Sequence, residues 1–284
     1  MLPRWTTSRA VHLTACLLPW IVGCAGGRPP ATRFEALPVL SLPPDELLAR
    51  IASDGVSVSS LKGKVELGMR VPPEDAFKHC RGVIAARNPW VGGRGAGLYL
   101  EGYRQVIPTL FTLVSNGREF WLHVPYDNTA YNGPLGGPPP VRHGRKIQLD
   151  VLDLYRALFV EPIASEDSFE VTEEGADYVV SVARDGVLHR QLWVERRSFT
   201  VPREVYFDPQ GDVRLQIDRE AYADAGGKPY PMRLVLRDLA GSGTFLVEFG
   251  SVTLEPEKLD DRIFSPKLPA GTVVRRTDLR EAKR

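Results

Sequence analysis

The 284-residue chain carries 36 Lys and Arg against 35 Asp and Glu, a formal net charge of +1, with 43% hydrophobic residues. That balance offers no basic surplus for phosphate neutralisation, so composition argues against a nucleic-acid partner. Three cysteines are too few for the disulfide framework of a small secreted scaffold. The length suits one large all-β domain or two small ones.

The chain opens on a leader. Arg4 and Arg9 form a short basic region with no acid before Glu35, and Val11 to Val22 form an apolar stretch. This stretch is shorter than the ~20 residues that a membrane-spanning helix needs. Ile21-Val22-Gly23-Cys24 follows, with the pattern of a lipoprotein signal peptide. The small Gly23 lets a peptidase approach the backbone, and the Cys24 thiol can carry a diacylglycerol. The alternatives are a plain secretory peptide cut nearby and an amphipathic anchor. On the lipoprotein reading residues 1–23 are removed, Cys24 becomes the lipidated first residue, and Cys80 remains without a partner. Loss of Arg4 and Arg9 leaves 34 basic against 35 acidic side chains, a net charge of about −1. Ala25 stands after the cysteine where an aspartate would signal inner-membrane retention, so the expected residence is the bacterial outer membrane, facing the periplasm. Residues 24–43, rich in Gly and Pro, read as a flexible tether. No later segment is apolar enough to span a bilayer as a helix, which leaves the lipid as the expected anchor.

Asp45 to Ile51 predicts a short helix, with Pro43 and Pro44 at its start, acids in its first turn and Leu47, Leu48 and Ile51 as one apolar stripe. From Leu61 the period changes to two: Val65, Leu67, Met69 and Val71 alternate with Lys64, Glu66, Gly68 and Arg70, as a half-buried strand requires. Further strands are predicted near 81–87, 96–103, 109–115 and 118–124, and Asn116-Gly117 is a two-residue hairpin signal. Tyr131-Asn132-Gly133 closes another short strand. A Gly/Pro-rich loop over 133–144 precedes a second helix near 149–160, with Val151, Leu152, Tyr155 and Leu158 on one side. The second half predicts a meander over 168–174, 178–184, 187–196, 203–208, 213–222, 230–238 and 244–254, with turns at Asp185-Gly186, Asp208-Pro209-Gln210-Gly211 and Ala240-Gly241-Ser242-Gly243. The expectation is a mainly β domain over residues 44–276 with a polar tail over 277–284. It is a half-open antiparallel barrel of about ten or eleven strands, curved to hide its edges, under a small helical lid.

These elements resemble the LolA/LolB-like superfamily of periplasmic lipoprotein carriers and outer-membrane receptors. The resemblance covers about residues 45–275 and rests on Leu61-Lys62-Gly63-Lys64-Val65-Glu66-Leu67 after a helix, on Leu113 to Leu122 around Asn116-Gly117, on Tyr131-Asn132-Gly133, and on Ile263-Phe264-Ser265-Pro266-Lys267-Leu268-Pro269-Ala270-Gly271-Thr272-Val273. Residues 133–146 stand out from the family pattern as a Pro/Gly-rich insertion. The resemblance implies a helical lid over an apolar cavity that takes lipid or lipoprotein acyl chains during outer-membrane biogenesis, with other envelope proteins as partners. Candidate walls are Val65, Leu67, Met69, Leu98, Leu100, Phe111, Leu113, Phe120, Leu122, Leu234, Phe245 and Val247. Sequence leaves open whether these residues enclose a cavity or fill a solid core, so a packed barrel serving as an assembly scaffold is the alternative. Arg87-Asn88-Pro89-Trp90-Val91 is the candidate client or membrane loop. In the family an apolar loop tip serves receptors and an arginine beside a proline serves carriers; the other reading folds Trp90 back onto the barrel mouth.

Enzyme chemistry finds little support. Cys80 and His79 are neighbours in a strand and point to opposite faces. His79, His123, His143 and His189 are scattered without metal-ligand spacing. Asp150 and Asp153 read as an N-cap and a first-turn acid favoured by the helix dipole. There is no Gly-Xaa-Ser-Xaa-Gly elbow or phosphate loop. The expectation is a binding protein that needs neither cofactor nor metal.

Overall fold

The computed structural model describes residues 40–277, apart from 56–57, 72–75, 92–94, 106–108, 138–140, 143–144, 147–149 and 242. The expected leader, Cys24, most of the expected tether and residues 278–284 lie outside the described residues. Helix α1 (Pro44–Gly55) leads into a meander of β1 (Ser60–Arg70), β2 (Lys78–Arg87), β3 (Gly97–Tyr103), β4 (Phe111–Ser115), β5 (Glu119–Val124) and β6 (Thr129–Pro134). A small hairpin of β7 (Val141–Arg142) and β8 (Arg145–Lys146) falls in the Gly/Pro-rich insertion, followed by helix α2 (Val151–Leu158). The second meander is β9 (Ser168–Glu174), β10 (Asp177–Arg184), β11 (Val187–Glu195), β12 (Arg203–Phe207), β13 (Val213–Asp224), β14 (Pro229–Asp238) and β15 (Gly243–Leu254), and β16 (Val273–Arg276) ends the described chain.

Fourteen of these strands form one sheet in the order β16-β6-β5-β4-β3-β2-β1-β15-β14-β13-β12-β11-β10-β9. The architecture is the expected half-open barrel, with more strands than the ten or eleven expected. The first strand of the first meander pairs with the last strand of the second, so two consecutive meanders become one curved surface. The sheet does not close: β9 is one free edge, and β16 covers β6 at the other in a parallel pairing. The strand β16 was not foreseen, because Val273–Arg276 lacks the alternation of a half-buried strand and all four residues are exposed.

The turns carry the local reasons for this path. Asp185 and Gly186 both have positive φ, 52° and 77°, the geometry of the tight hairpin that joins β10 to β11. Gly117 at φ 82° turns β4 into β5, and a Cβ there would meet Ala96 Cβ at 2.4 Å. Helix α2 starts at a capping box: Asp150 accepts from the Leu152 amide at 3.1 Å, while the Asp153 side chain accepts from the Asp150 amide at 3.4 Å.

Two helices cover the concave face. Helix α1 buries Leu47 and Ile51 against Tyr178, Val180, Leu192, Val194 and Phe199. Helix α2 lies on the connection that carries the chain from β6, near one edge, to β9 at the other. It packs Leu154, Tyr155 and Leu158 into a larger core with Leu61, Ile84, Leu98, Leu234 and Phe249. No helix among the described residues is long and apolar enough to cross a membrane.

Candidate functional site

Register decides which side chains face the concave side. Val65, Leu67 and Met69 of β1 stand opposite Phe249, Val247 and Phe245 of β15 and, on the other side, opposite Gly82, Cys80 and Lys78 of β2. The same row continues through Leu98 and Leu100 of β3, Leu113 of β4, Phe120 and Leu122 of β5, and Leu234 and Leu236 of β14. Burial is graded along it: Val65 and Leu67 are buried, whereas Met69 is 37% exposed. The interior is therefore packed at the Ser60 end of β1 and open at the Arg70 end.

At the open end lies a cavity of about 810 Å³. Of the expected wall residues, Leu67, Met69, Leu100, Phe111, Leu113, Phe120, Leu122 and Phe245 line it. Val65, Leu98, Leu234 and Val247 instead pack in the core beneath it. The sequence left a cavity and a solid core as alternatives; the barrel contains both, at opposite ends of the same strands. Helix α2 adds Val151 and Leu154 to the cavity wall, so the lid forms part of the container. Sequence reasoning missed these two, and also Leu110, Tyr131 and Leu236, although strict alternation on β14 marks Leu236 two residues beyond Leu234.

The rim is polar. Among the described residues it includes Arg70, Lys78, His79, Arg104, Asp238 and Thr244, with Tyr126 almost fully exposed beside Pro125. Asp238 Oδ1 accepts from the Gly241 amide at 2.9 Å, and burial pushes its carboxyl up. His79 leans on the Phe77 ring, with centroids 5.8 Å apart, and its Nδ1 lies 3.8 Å from Glu66. Cys80 faces inward opposite Leu67, and burial pushes its thiol up, away from the thiolate that nucleophilic chemistry needs. Among the described residues no group of three His, Cys, Asp or Glu side chains is placed to hold a metal ion.

The Arg87–Trp90–Val91 loop lies elsewhere. Arg87 pairs with Ser60, at the far end of β2 from Lys78 and the cavity rim, about 30 Å away at the usual rise of a strand. Its guanidinium is buried, donates to the Leu259 carbonyl at 2.7 Å and to the Asp261 carboxylate, and lies 5.0 Å over the Phe264 ring. Trp90 is half-buried against the large core, and its amide donates to Asn88 Oδ1 at 2.9 Å. Of the two readings of this loop, Trp90 takes the folded-back one, at the closed end and not at the barrel mouth, and the basic residue beside it clamps the C-terminal segment. Strand direction explains the difference: the sequence does not reveal which end of the barrel stays open.

One further constellation was not foreseen. Arg190 of β11, Glu204 and Tyr206 of β12 and Arg219 of β13 face the same interior, and all are buried. Glu204 accepts from Arg219 at 2.8 Å, Arg190 at 3.2 Å and the Tyr206 hydroxyl at 2.7 Å. The two guanidiniums also donate to the carbonyls of Arg156, Ala157, Glu161 and Pro162, at and just beyond the end of α2. Helix C-termini leave such carbonyls without partners and carry a partial negative charge, so the arginines satisfy both needs. Asp153, nearer the start of the helix, accepts two bonds from Arg214 of β13, at 2.8 and 3.0 Å. The lid is ionically fastened along its length.

The half-open sheet, the helical cover and the enclosed apolar space together define the LolA-like fold, and solved structures share it. A putative outer membrane lipoprotein-sorting protein domain from Vibrio parahaemolyticus superposes with a TM-score of 0.58 at 9% identity, over 77% of this chain and 94% of that one. A DUF1329 family protein from Desulfovibrio piger gives 0.57 at 10% identity, over 78% and 95%. A LolA superfamily protein from Nitrosomonas europaea gives 0.53 at 13% identity, over 80% and 99%. No protein-family model and no curated protein matches the sequence.

Proposed function

We propose that this protein is a lipid-anchored envelope protein that binds the acyl chains of a lipid or lipoprotein within its barrel and acts in lipid or lipoprotein transfer at the outer membrane. The observation that carries this reading is the cavity of about 810 Å³ walled by Leu67, Leu100, Phe111, Leu113, Leu122 and Phe245. Its size falls in the range of small-molecule binding sites. Each methylene moved from water into such a space contributes about 0.8 kcal/mol, so a chain is held by burial alone and released by competition with a better site. The expected lipobox at Cys24 supports an anchored receptor rather than a diffusing carrier, and the fold shared with lipoprotein-sorting proteins supports the class of ligand. The space left at the open end of the barrel favours this reading over a packed scaffold.

The test is lipid extraction from the purified protein followed by mass spectrometry, repeated on Leu122→Trp. Leu122 is half-buried on the cavity wall, and an indole there occupies the path of a chain. The expected result is co-purified amphiphile in the natural protein and at least about tenfold less in the variant, the loss that follows from giving up two buried methylenes. Equal lipid content in both, or none in either after reconstitution with chain-bearing probes, overturns the reading.

A further inference from the structure

At one level of the barrel the inward side chains of two neighbouring strands disappear. Gly82 of β2 stands directly opposite Gly102 of β3, one inward step from the pair Ile84 and Leu100. Glycine in a strand leaves bare backbone toward the interior, and a neighbouring side chain can lie down on it. Phe111 of β4, opposite Gly102 on the other side, does so. A Cβ at Gly102 would meet the Phe111 ring at 2.4 Å (Cε1), 2.9 Å (Cζ) and 3.0 Å (Cδ1). Over Gly82 lie Leu67 and Val65, which a Cβ there would meet at 3.1 and 3.2 Å. Phe111 and Leu67 both line the cavity, and on β3 the bare level falls between Leu100 on its wall and Arg104 at its rim. The reclining Phe111 ring therefore borders the passage from the rim to the interior. Ordinary contact between carbons lies near 3.5–4.0 Å, so a side chain at position 102 would push the ring by about 1 Å or more.

The volume behind this passage points the same way. A methylene takes up about the room of a water molecule in the liquid, ~30 Å³, so one sixteen-carbon chain fills about 480 Å³ and two fill about 960 Å³. A cavity of about 810 Å³ is loose around one such chain and holds most of two. A wall that meets no atoms loses its dispersion contacts, and a second chain restores them while burying its own methylenes. We infer that the cavity takes an amphiphile with two acyl chains side by side, and that Gly102 is the positioning residue that keeps the passage wide enough by letting the Phe111 ring lie flat. This rests on the acyl-binding reading and adds to it the number of chains.

The test compares two ligands with the same phosphoglycerol head and the same total of chain carbons: 1-palmitoyl-lysophosphatidylglycerol, with one long chain, and 1,2-dioctanoyl-phosphatidylglycerol, with two short ones. Both are kept below their micellar concentrations, and binding to the purified full-length protein is read by displacement of a fluorescent chain-bearing probe, well below the melting temperature. Both ligands are expected to displace the probe from the natural protein. In Gly102→Ala the two-chain ligand should bind about tenfold more weakly, the equivalent of two lost methylenes, while the one-chain ligand stays within about twofold. Gly102→Ala/Phe111→Leu should restore the two-chain ligand to within about threefold, because the smaller side chain gives back the space that the added methyl takes. Phe111→Trp, which leaves the glycine untouched, should show the same selective loss. A general weakening of the fold would lower both ligands together and would not be rescued at position 111. Failure of the two-chain ligand to bind the natural protein, equal effects on both ligands, or no rescue overturns the inference and leaves chain binding standing. If neither ligand binds, the acyl-binding reading falls and the two-chain assignment falls with it.

Discussion

Glu204 and Arg219 join adjacent strands through a 2.8 Å ion pair whose two side chains are sealed from water. A second guanidinium, Arg190, approaches the same carboxylate at 3.2 Å. Burying three charges costs several kcal/mol each before pairing, so the arrangement holds only as a complete set. Replacing Glu204 with Ala leaves two buried cations facing each other without an anion. The expected loss is about 3–5 kcal/mol, read as a lower urea midpoint with an unchanged slope. The same variant frees the end of α2, so amides of residues 151–158 exchange hydrogen faster than those of β1 and β15. Uniform exchange across the domain would show that the network stabilises the sheet and not the lid.

The same pair sets an acid limit. Its arginines hold the Glu204 carboxyl below the usual range even though burial alone would raise it. A carboxyl with a lowered folded value contributes stability that is complete above its unfolded value, about 4.3, and that is lost as pH falls through the folded value. The melting temperature of the natural protein should therefore fall below about pH 4. The deficit of Glu204→Gln relative to it should be largest at neutral pH and narrow in acid. A constant gap from pH 7 to pH 3 would remove Glu204 as the titrating group.

Most of the architecture was legible in residues 60–254. Alternation on β1 and the Asn116-Gly117 and Asp185-Gly186 turns are local signals, because side-chain period and positive φ are fixed within a few residues. The charged network was not legible. Arg190, Glu204 and Arg219 sit at inward positions of three strands, yet in sequence each resembles the solvent-facing residue of an alternating strand. Only the register that sets Glu204 beside Ile217 and Leu192 shows that they share an interior. The division of the walls was hidden for a related reason. Val65 and Met69 share one strand and one face, and only the position of the open end makes the first core and the second rim.

Cys80 reports on both the processing and the cavity. The chain has three cysteines, of which the expected signal cleavage removes Cys16 and acylation blocks Cys24. Mature protein titrated in denaturant should therefore yield one free thiol per chain, against three without processing. In the folded state Cys80 is half-buried with its thiol pushed up, so its reaction with an aromatic disulfide should be slower than in the unfolded chain by about tenfold or more. A bound chain should slow it again, because Cys80 lines the cavity. Reaction at the unfolded rate, with or without ligand, would place the thiol outside the site.

The Arg87 clamp separates folding from binding. Arg87 holds Phe264 at the closed end of the barrel, and Phe264 in turn occupies the space above Gly97, where a Cβ would come within 2.5 Å of its ring. Arg87→Ala removes a buried stacking contact and the bond to Leu259, a loss of about 1–3 kcal/mol. Gly97→Ala pushes the ring away and should cost a similar 1–3 kcal/mol by overpacking. Because Phe264 mediates both, the double variant should lose less than the sum of the two single variants. Neither change reaches the cavity rim at Met69 and Phe245, so chain binding measured well below the melting temperature should stay within about twofold of the natural protein, less than half of a tenfold step. A Trp90→Ala variant should likewise lose stability while keeping binding, since Trp90 packs on the core at this same end. If Arg87→Ala or Trp90→Ala abolished lipid or client transfer without changing the unfolding midpoint, the closed end would be a contact surface after all, and the clamp would be incidental to it.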